Sequence, residues 1–223
     1  MKTKLVIFGI TGDLSTRKLL PALSKIIGTG DFDDLSIIDR GLKQYVDLQD
    51  DEQLIFYLSV PPESSAAIVE HLGQAGMNSD RVKILLEKPF GMDLTSAHTM
   101  IDHVGQYYDE SQVYRIDHYL AKEMAHNILI FRASNAIFNT IWDNRFIEKI
   151  EVIASESIGV EGRSHFYEQT GALRDVLQGH LMQLLSLTIM DIPQEIHWDG
   201  MPEKRLQALT THTMPICQML TSK

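Results

Sequence analysis

The chain has 223 residues, of which 44% are hydrophobic, enough to bury the core of one large domain or two modest ones. Its formal net charge of −10 argues against nucleic acid as a partner, because phosphate backbones are bound by basic faces. The single cysteine, Cys217, excludes an internal disulfide framework and favours a reducing compartment, so a cytoplasmic location is expected. No apolar run approaches the ~20 residues of a membrane span, and no membrane partner is expected.

The first half of the sequence alternates strand and helix patterns. Four short apolar runs are typical of buried strands: 4–8, 53–60, 82–86 and 113–116. Three stretches have helical spacing: 14–27, 63–75 and 93–108. Pro21 indicates a kink or break near Leu20 in the first helix, and Asp93 is a candidate cap for the third. Strands that alternate with helices predict an α/β fold with a parallel sheet.

The pattern changes from Asp117 onward, which divides the chain into a first unit at 1–116 and a second at 117–223. Helices are predicted over 120–133 and 171–190, and a strand over 146–154. The tail after Met190 is poorly periodic, and no internal repeat is present.

A glycine-containing turn, Gly9-Ile-Thr-Gly12-Asp-Leu14, follows the first predicted strand. A strand, a glycine turn and a helix form the geometry that places a pyrophosphate at a helix N-terminus. The spacing is not the full G-x-G-x-x-G pattern, so two glycines in a tight connection explain the motif equally well.

The stretch Arg115-Ile-Asp-His-Tyr-Leu-Ala-Lys-Glu123 is the densest polar segment of the chain. It is poor material for a core and suits a phosphorylated or polyhydroxylated ligand. A solvated helix start with Asp117 as its cap is the alternative, and it would explain Asp117 and Lys122 but not the whole string.

This stretch is similar to the signature of the glucose-6-phosphate dehydrogenase family, which usually has glycine at the position of Ala121. The opening at 8–23, the block Glu87-Lys-Pro-Phe-Gly91 and most of 112–190 resemble the same family. The resemblance implies a Rossmann-like parallel sheet domain at 1–116, followed by a truncated α+β domain at 117–223. Family members are considerably longer, so the predicted strand at 146–154 has few sheet partners. Its edges are expected to be covered by oligomerisation or another element, which favours a homo-oligomer.

The resemblance also implies a dinucleotide cofactor, NADP or NAD. The implied cofactor contacts are Gly9, Thr11, Gly12, Asp13, Leu14, Arg40 and Lys88. Arg40 suits the 2′-phosphate of NADP, whereas the adjacent Asp39 suits the 2′-hydroxyl of NAD. Family membership favours NADP.

The substrate that the resemblance implies is glucose 6-phosphate, oxidised at C1 to 6-phosphogluconolactone. Its implied contacts are Lys88, His118, Tyr119, Lys122, Glu156 and Asp175. His180 is the implied base and Asp117 the carboxylate that orients it, and no metal is required. His180 also falls on the apolar stripe of Leu173, Val176, Leu177 and Leu184, where an ordinary core histidine is the alternative.

Two other functions are consistent with the sequence. One is a catalytically impaired relative that binds a dinucleotide or a partner in a structural or regulatory role. The other is a dehydrogenase of a different sugar phosphate. The large sheet of longer family members, which this sequence does not include, favours the first of these. Gly179 replaces an asparagine of the family pattern beside His180, and it is expected to weaken the helix there by about 1 kcal/mol relative to alanine.

Overall fold

The computed structural model describes residues 2–9, 19–27, 36–38, 48–155, 164–192 and 200–211. The chain divides into two compact units, Met1–Ile116 and Asp117–Lys223. Among the described residues, no helix is long and apolar enough to span a bilayer.

A five-stranded parallel sheet forms the centre of the first unit. Its strands are β1 (Lys2–Phe8), β2 (Ser36–Ile38), β3 (Glu52–Leu58), β4 (Val82–Glu87) and β5 (Val113–Ile116), in the order β2-β1-β3-β4-β5. Every neighbouring pair is parallel, and Lys2 lies opposite Glu52 while Phe8 lies opposite Leu58. The sheet confirms the predicted α/β class and the four predicted strands.

Three helices accompany these strands: α1 (Leu20–Ile27), α2 (Pro62–Gln74) and α3 (Leu94–Gly105). The predicted cap of α3 is confirmed, because Asp93 Oδ1 accepts the Ser96 backbone N–H at 2.8 Å. Ser96 Oγ in turn accepts the Asp93 N–H at 3.0 Å, which completes a capping box. The predicted start of the first helix at Leu14 lies outside the described residues.

The core of the first unit is centred on β3. Leu54, Phe56 and Leu58 on this strand have no exposed surface, and Val69 from α2 and Val104 from α3 pack in the same cluster. Burial of each such side chain contributes about 1.5–3 kcal/mol. Strand β3 is continuously apolar here because a parallel sheet is covered on both faces.

Tyr108 predicts how stability depends on alkaline pH. Its side chain is 3% exposed, its hydroxyl donates to the Met77 carbonyl at 2.8 Å, and burial raises the pKa of the phenol. Above about pH 10 the unfolded chain loses this proton while the folded chain keeps it, so the free energy of unfolding falls as pH rises. Urea denaturation between pH 8 and pH 11 measures the free energy of unfolding. This free energy should fall less steeply with pH for Tyr108→Phe than for the wild type.

At pH 8 the same substitution should cost about 1 kcal/mol, because the Met77 carbonyl loses its donor. The matched control is Tyr114→Phe, since Tyr114 is 53% exposed. Equal alkaline slopes for the wild type and Tyr108→Phe would contradict the assignment.

The regular elements among the described residues of the second unit are all helices. Its helices are α4 (Glu123–Ser134), α5 (Phe138–Ile141), α6 (Ser164–Ala172), a π-helix (Leu173–Leu181), α7 (Met182–Ile189) and α8 (Met201–Thr211). The predicted strand at 146–154 is wrong, because this segment joins no sheet. A strand is maintained by its ladder partner, and the described part of this unit supplies none.

Two side chains from the region of α4 and α5 donate hydrogen bonds to the C-terminal end of α7. Arg132 Nη1 and Nη2 donate to the carbonyls of Leu187 and Met190 at 2.9 and 2.8 Å. Trp142 Nε1 donates to the Thr188 carbonyl at 2.8 Å. The last turn of a helix leaves carbonyl groups without backbone donors, so these bonds satisfy acceptors that would otherwise be buried and unpaired.

Candidate functional site

The carboxyl edge of the sheet carries two of the predicted ligand-binding residues. Gly9 directly follows β1 with φ +82°, and a Cβ at this position would collide with the Ser59 carbonyl oxygen. Lys88 directly follows β4, and its peptide bond to Pro89 is cis. Ligands of parallel sheets bind at this edge. At Gly9 the chain passes so close to Ser59 that only a residue without a side chain fits.

The other predicted cofactor residues, Thr11, Gly12, Asp13, Leu14 and Arg40, lie outside the described residues, as does the substrate candidate Glu156. The edge of the sheet is reinforced beside Lys88, because the Tyr57 hydroxyl donates to the Glu87 carboxylate. Burial, followed by this hydrogen bond, raises the pKa of Tyr57, so the phenol keeps its proton at an alkaline pH where an exposed tyrosine would lose it.

The second unit contains the catalytic candidates, and a polar turn at 117–122 positions several of them. Asp117 Oδ1 accepts the backbone N–H of Tyr119 at 2.9 Å, and the Leu120 N–H donates to the Asp117 carbonyl at 3.1 Å. An aspartate that bonds the amide two residues ahead stabilises a turn at its own position. The carboxylate is therefore positioned in part by hydrogen bonds within residues 117–120.

His180 and Asp117 form a hydrogen-bonded pair, as predicted. Nδ1 of His180 lies 2.8 Å from Oδ1 of Asp117, and the two side chains are only 7% and 13% exposed. A carboxylate accepts and does not donate, so Nδ1 carries a proton, and in the neutral ring the lone pair is then on Nε2. This tautomer is the one that a general base requires, with the carboxylate able to stabilise the imidazolium that forms.

Aromatic and basic side chains surround the imidazole of His180. The Tyr119 ring stacks on it with centroids 4.1 Å apart at an interplanar angle of 14°, and His118 meets it edge-on at 4.6 Å. The Lys122 ammonium lies 3.5 Å from the centroid of the Tyr119 ring, a cation–π contact. The structure therefore brings His180 together with four residues of the 117–122 turn, as the resemblance implied. These residues are Asp117, His118, Tyr119 and Lys122.

The segment that carries His180 is a π-helix, which the sequence did not predict. His180 is 5% exposed and Asp175, another predicted substrate contact, is 8% exposed. Leu173 is 53% exposed and does not belong to the predicted buried stripe, whereas Leu184 on the same stripe is 2% exposed. Hydrogen bonds from i to i+5 widen the turn, which changes the face that each residue occupies and directs both polar residues inward.

Arg205 on α8 is a site residue that the sequence did not identify. Its Nη1 donates to Gln183 Oε1 at 2.7 Å, three residues beyond His180 on the chain. Burial lowers the pKa of Arg205, while the charge of Asp117 acts in the opposite direction. The only sequence signal was a weak family likeness over 202–209. Arg205 therefore contributes a positive charge that interacts with the carboxylate of the Asp117–His180 pair.

Ligand atoms of Asp117, His118 and His180 lie within 4.8 Å of one another. Among the described residues these three could hold a metal ion. The direct Asp117–His180 hydrogen bond, however, already gives the arrangement of a base and its orienting carboxylate.

The parallel sheet and the glycine at its carboxyl edge place the first unit among the dinucleotide-binding α/β domains. Residues 30–127 match the model for "Glucose-6-phosphate dehydrogenase, NAD binding domain", and residues 129–219 match the model for the C-terminal domain of the same proteins. The chain belongs to the glucose-6-phosphate dehydrogenase family.

Curated relatives agree with this assignment. The chain is 33% identical over 257 residues to the glucose-6-phosphate 1-dehydrogenase of Dickeya dadantii, covering 92% of this chain and 52% of the relative. It is 32% identical over 263 residues to the Bacillus subtilis protein of that name, covering 93% and 54%. The chain therefore spans about half the length of these relatives. The matched stretches are longer than the chain itself, so the relatives contain internal residues that this chain lacks.

Solved structures share the fold. A glucose-6-phosphate dehydrogenase in complex with its substrate glucose-6-phosphate superposes with a TM-score of 0.80 at 25% identity, covering 94% of this chain and 55% of that one. The glucose-6-phosphate 1-dehydrogenase from Mycobacterium avium gives a TM-score of 0.79 at 28% identity, covering 93% and 57%.

Proposed function

We propose that this chain oxidises glucose 6-phosphate at C1 to 6-phosphogluconolactone, with hydride transfer to NADP, in the oxidative branch of the pentose phosphate pathway. The buried His180–Asp117 pair carries the proposal, since a scaffold has no physical need for an oriented base. A reducing compartment suits the single cysteine, and we propose the cytoplasm as the location.

In the proposed reaction, the first unit binds the dinucleotide at the carboxyl edge of its sheet. Gly9 and Lys88 contribute from the described residues, and Thr11, Gly12, Asp13, Leu14 and Arg40 are proposed from the sequence. When bound, the nicotinamide accepts the hydride that leaves C1 of the sugar. NADP is preferred because Arg40 suits a 2′-phosphate, whereas NAD would be favoured if Asp39 accepted a 2′-hydroxyl.

In the second unit, His180 is proposed to remove the proton of the anomeric hydroxyl through Nε2. Asp117 holds Nδ1–H and stabilises the positive imidazolium, so proton transfer does not leave a lone charge in a buried position. Stacking against Tyr119 fixes the plane of the ring. The lactone forms as the oxygen lone pair becomes the second C1–O bond.

The substrate phosphate is proposed to bind near His118, Tyr119 and Lys122, and Lys88 remains a substrate contact proposed from the sequence alone. An ammonium and neutral donors are suitable partners for a dianion, and they also provide a local positive region in a chain of net charge −10. Glu156 and Asp175 are proposed to accept hydrogen bonds from the sugar hydroxyls.

The direct test follows the absorbance of reduced nicotinamide with glucose 6-phosphate and either NADP or NAD. We expect turnover with NADP to exceed turnover with NAD. Absence of turnover with both cofactors at millimolar substrate would overturn the enzyme assignment. Binding of NADP without turnover would instead support the catalytically impaired relative.

Lys122→Ala tests the proposed phosphate site. Loss of a charged donor should raise KM for glucose 6-phosphate by about 10- to 100-fold, with a smaller change in kcat. Lys25→Ala, which removes an exposed lysine of α1, is the matched control and should leave both constants unchanged. A wild-type KM for Lys122→Ala would exclude this lysine from phosphate binding.

A further inference from the structure

Three side chains of the second unit have the composition and spacing of a transition-metal site. Asp117, His118 and His180 each offer one ligand atom, and these atoms all lie within 4.8 Å of one another. Two ligands bound to one tetrahedral zinc ion at about 2.0–2.1 Å each are separated by roughly 3.3 Å. Small side-chain rotations would therefore bring the three atoms to the separation that a single ion requires.

The ligand types select the ion. Two imidazole nitrogens and a carboxylate oxygen suit Zn²⁺ and its neighbours Co²⁺, Ni²⁺ and Cu²⁺, whereas Mg²⁺ and Ca²⁺ prefer sites built from oxygen alone. Three protein ligands leave at least one coordination position to water, which is the arrangement of an exchangeable site and not of a closed structural one. The expected occupant is a zinc-like divalent cation that binds reversibly.

The surrounding contacts already orient two of the three ligands. Asp117 Oδ1 accepts the Tyr119 backbone N–H at 2.9 Å, and the Tyr119 ring stacks on His180 with centroids 4.1 Å apart. Contacts of this kind fix the orientation of metal ligands, so little further ordering is needed when an ion binds. His118 is exposed and gives an ion a route to the less exposed side chains of Asp117 and His180.

We propose that Asp117, His118 and His180 bind a zinc-like divalent cation that inhibits the chain by occupying its general base. The inhibition rests on the proposed function, whereas binding of the ion does not. If the ion binds Nδ1 of His180, it displaces the proton that this atom shares with Asp117, and the proton passes to solvent. If it binds Nε2, it occupies the lone pair that would receive the substrate proton. In both geometries His180 is unable to act as the base.

Charges around the three ligands determine how tightly the ion binds. The carboxylate of Asp117 attracts a cation, as does the net charge of −10. Lys122, whose ammonium lies 3.5 Å from the centroid of the Tyr119 ring, opposes it. Arg205 also opposes it, because its guanidinium interacts with the charge of Asp117. We therefore expect weaker binding than at a closed four-ligand site, with a dissociation constant of about 1–100 µM.

Isothermal titration calorimetry with Zn²⁺ tests the site in the full chain without any turnover. All proteins carry Cys217→Ser, because a thiolate is itself a strong zinc ligand. We expect His118→Asn, which removes one ligand, to weaken Zn²⁺ binding by about tenfold or more. His98→Asn, at an exposed histidine of α3, is the matched control and should bind like the Cys217→Ser protein.

Two results of the calorimetry would overturn the site. One is equal affinity for Zn²⁺ in His118→Asn and His98→Asn. The other is absence of binding to the Cys217→Ser protein at about 1 mM Zn²⁺. Because the ligands include two imidazoles, an excess of Mg²⁺ should not displace Zn²⁺, and displacement would contradict the ligand assignment.

Inhibition of glucose 6-phosphate oxidation tests the consequence for the base. Zn²⁺ should abolish turnover of the Cys217→Ser protein and of His98→Asn, and an excess of EDTA should restore it. His118→Asn, compared with its own rate without metal, should need about tenfold more Zn²⁺ for half-inhibition. Bound Zn²⁺ that leaves turnover unchanged, or equal half-inhibition of the two variants, would overturn the inhibitory role. A chain without turnover whose Zn²⁺ binding depends on His118 would refute the proposed function and still support the site.

Discussion

Replacement of His180 with asparagine is expected to lower kcat for glucose 6-phosphate oxidation by about 10²- to 10⁴-fold, the range in which a general base contributes. Asparagine can still donate to Asp117 from near the position of Nδ1, so the buried carboxylate keeps a partner and the fold is retained. It offers no basic nitrogen in place of Nε2. The measurement is steady-state formation of reduced nicotinamide, with binding of the dinucleotide as the check that the first unit is intact.

The matched control is His98→Asn, which replaces an exposed histidine of α3. This variant should retain wild-type kcat and KM. Full activity of His180→Asn would exclude His180 as the base. Equal losses in both variants would show that the effect came from stability and not from chemistry.

Replacement of Arg132 with methionine is expected to cost about 2–4 kcal/mol of unfolding free energy, the largest stability effect predicted here. The Arg132 side chain is 6% exposed and donates to the carbonyls of Leu187 and Met190. Burial lowers the pKa of its guanidinium to about 10, and the charge of Asp191 opposes this change. Methionine fills the same space but leaves both carbonyls buried without donors. Urea denaturation at neutral pH measures the difference.

Arg145→Met is the matched control, because Arg145 is exposed and its ion pair with Asp143 lies on the surface. Such pairs contribute little to stability, so the control should unfold close to the wild type. If Arg132→Met were as stable as the control, the cap at the end of α7 would not be stabilising. Arg132→Lys should fall between the two, since one ammonium keeps the charge but cannot reproduce the two-pronged contact.

The sheet was predictable because its strands carry their signal locally. The runs around Leu54, Ile84 and Val113 are apolar and bounded by turns, and parallel strands buried on both faces need no alternation. The cap at Asp93 was predictable for the same reason, as both of its hydrogen bonds lie within four residues. The segment at 146–154 has an equally good strand pattern, but whether such a pattern becomes a strand depends on a partner elsewhere.

The site divides in the same way. The motif at 115–123 identified Asp117, His118, Tyr119 and Lys122, and family likeness identified His180 as their partner. The sequence did not reveal Arg205, because a lone arginine on a surface-like helix has no local signal for the pairing it makes with Gln183. It also did not reveal the π-helix, because the shift from i+4 to i+5 bonding depends on what the helix packs against.

By itself, therefore, the sequence determined the α/β class, the division near Asp117, the family and the polar turn that holds Asp117. These features depend on local periodicity, turn chemistry and short motifs. Only the tertiary structure decided that His180 lies 2.8 Å from Asp117, that Asp175 and His180 face inward on a π-helix, and that Arg205 joins them. The Asp117–His180 contact joins residues 63 positions apart, and the interaction of Arg205 with Asp117 joins residues 88 positions apart. Sequence spacing does not specify contacts at such separations.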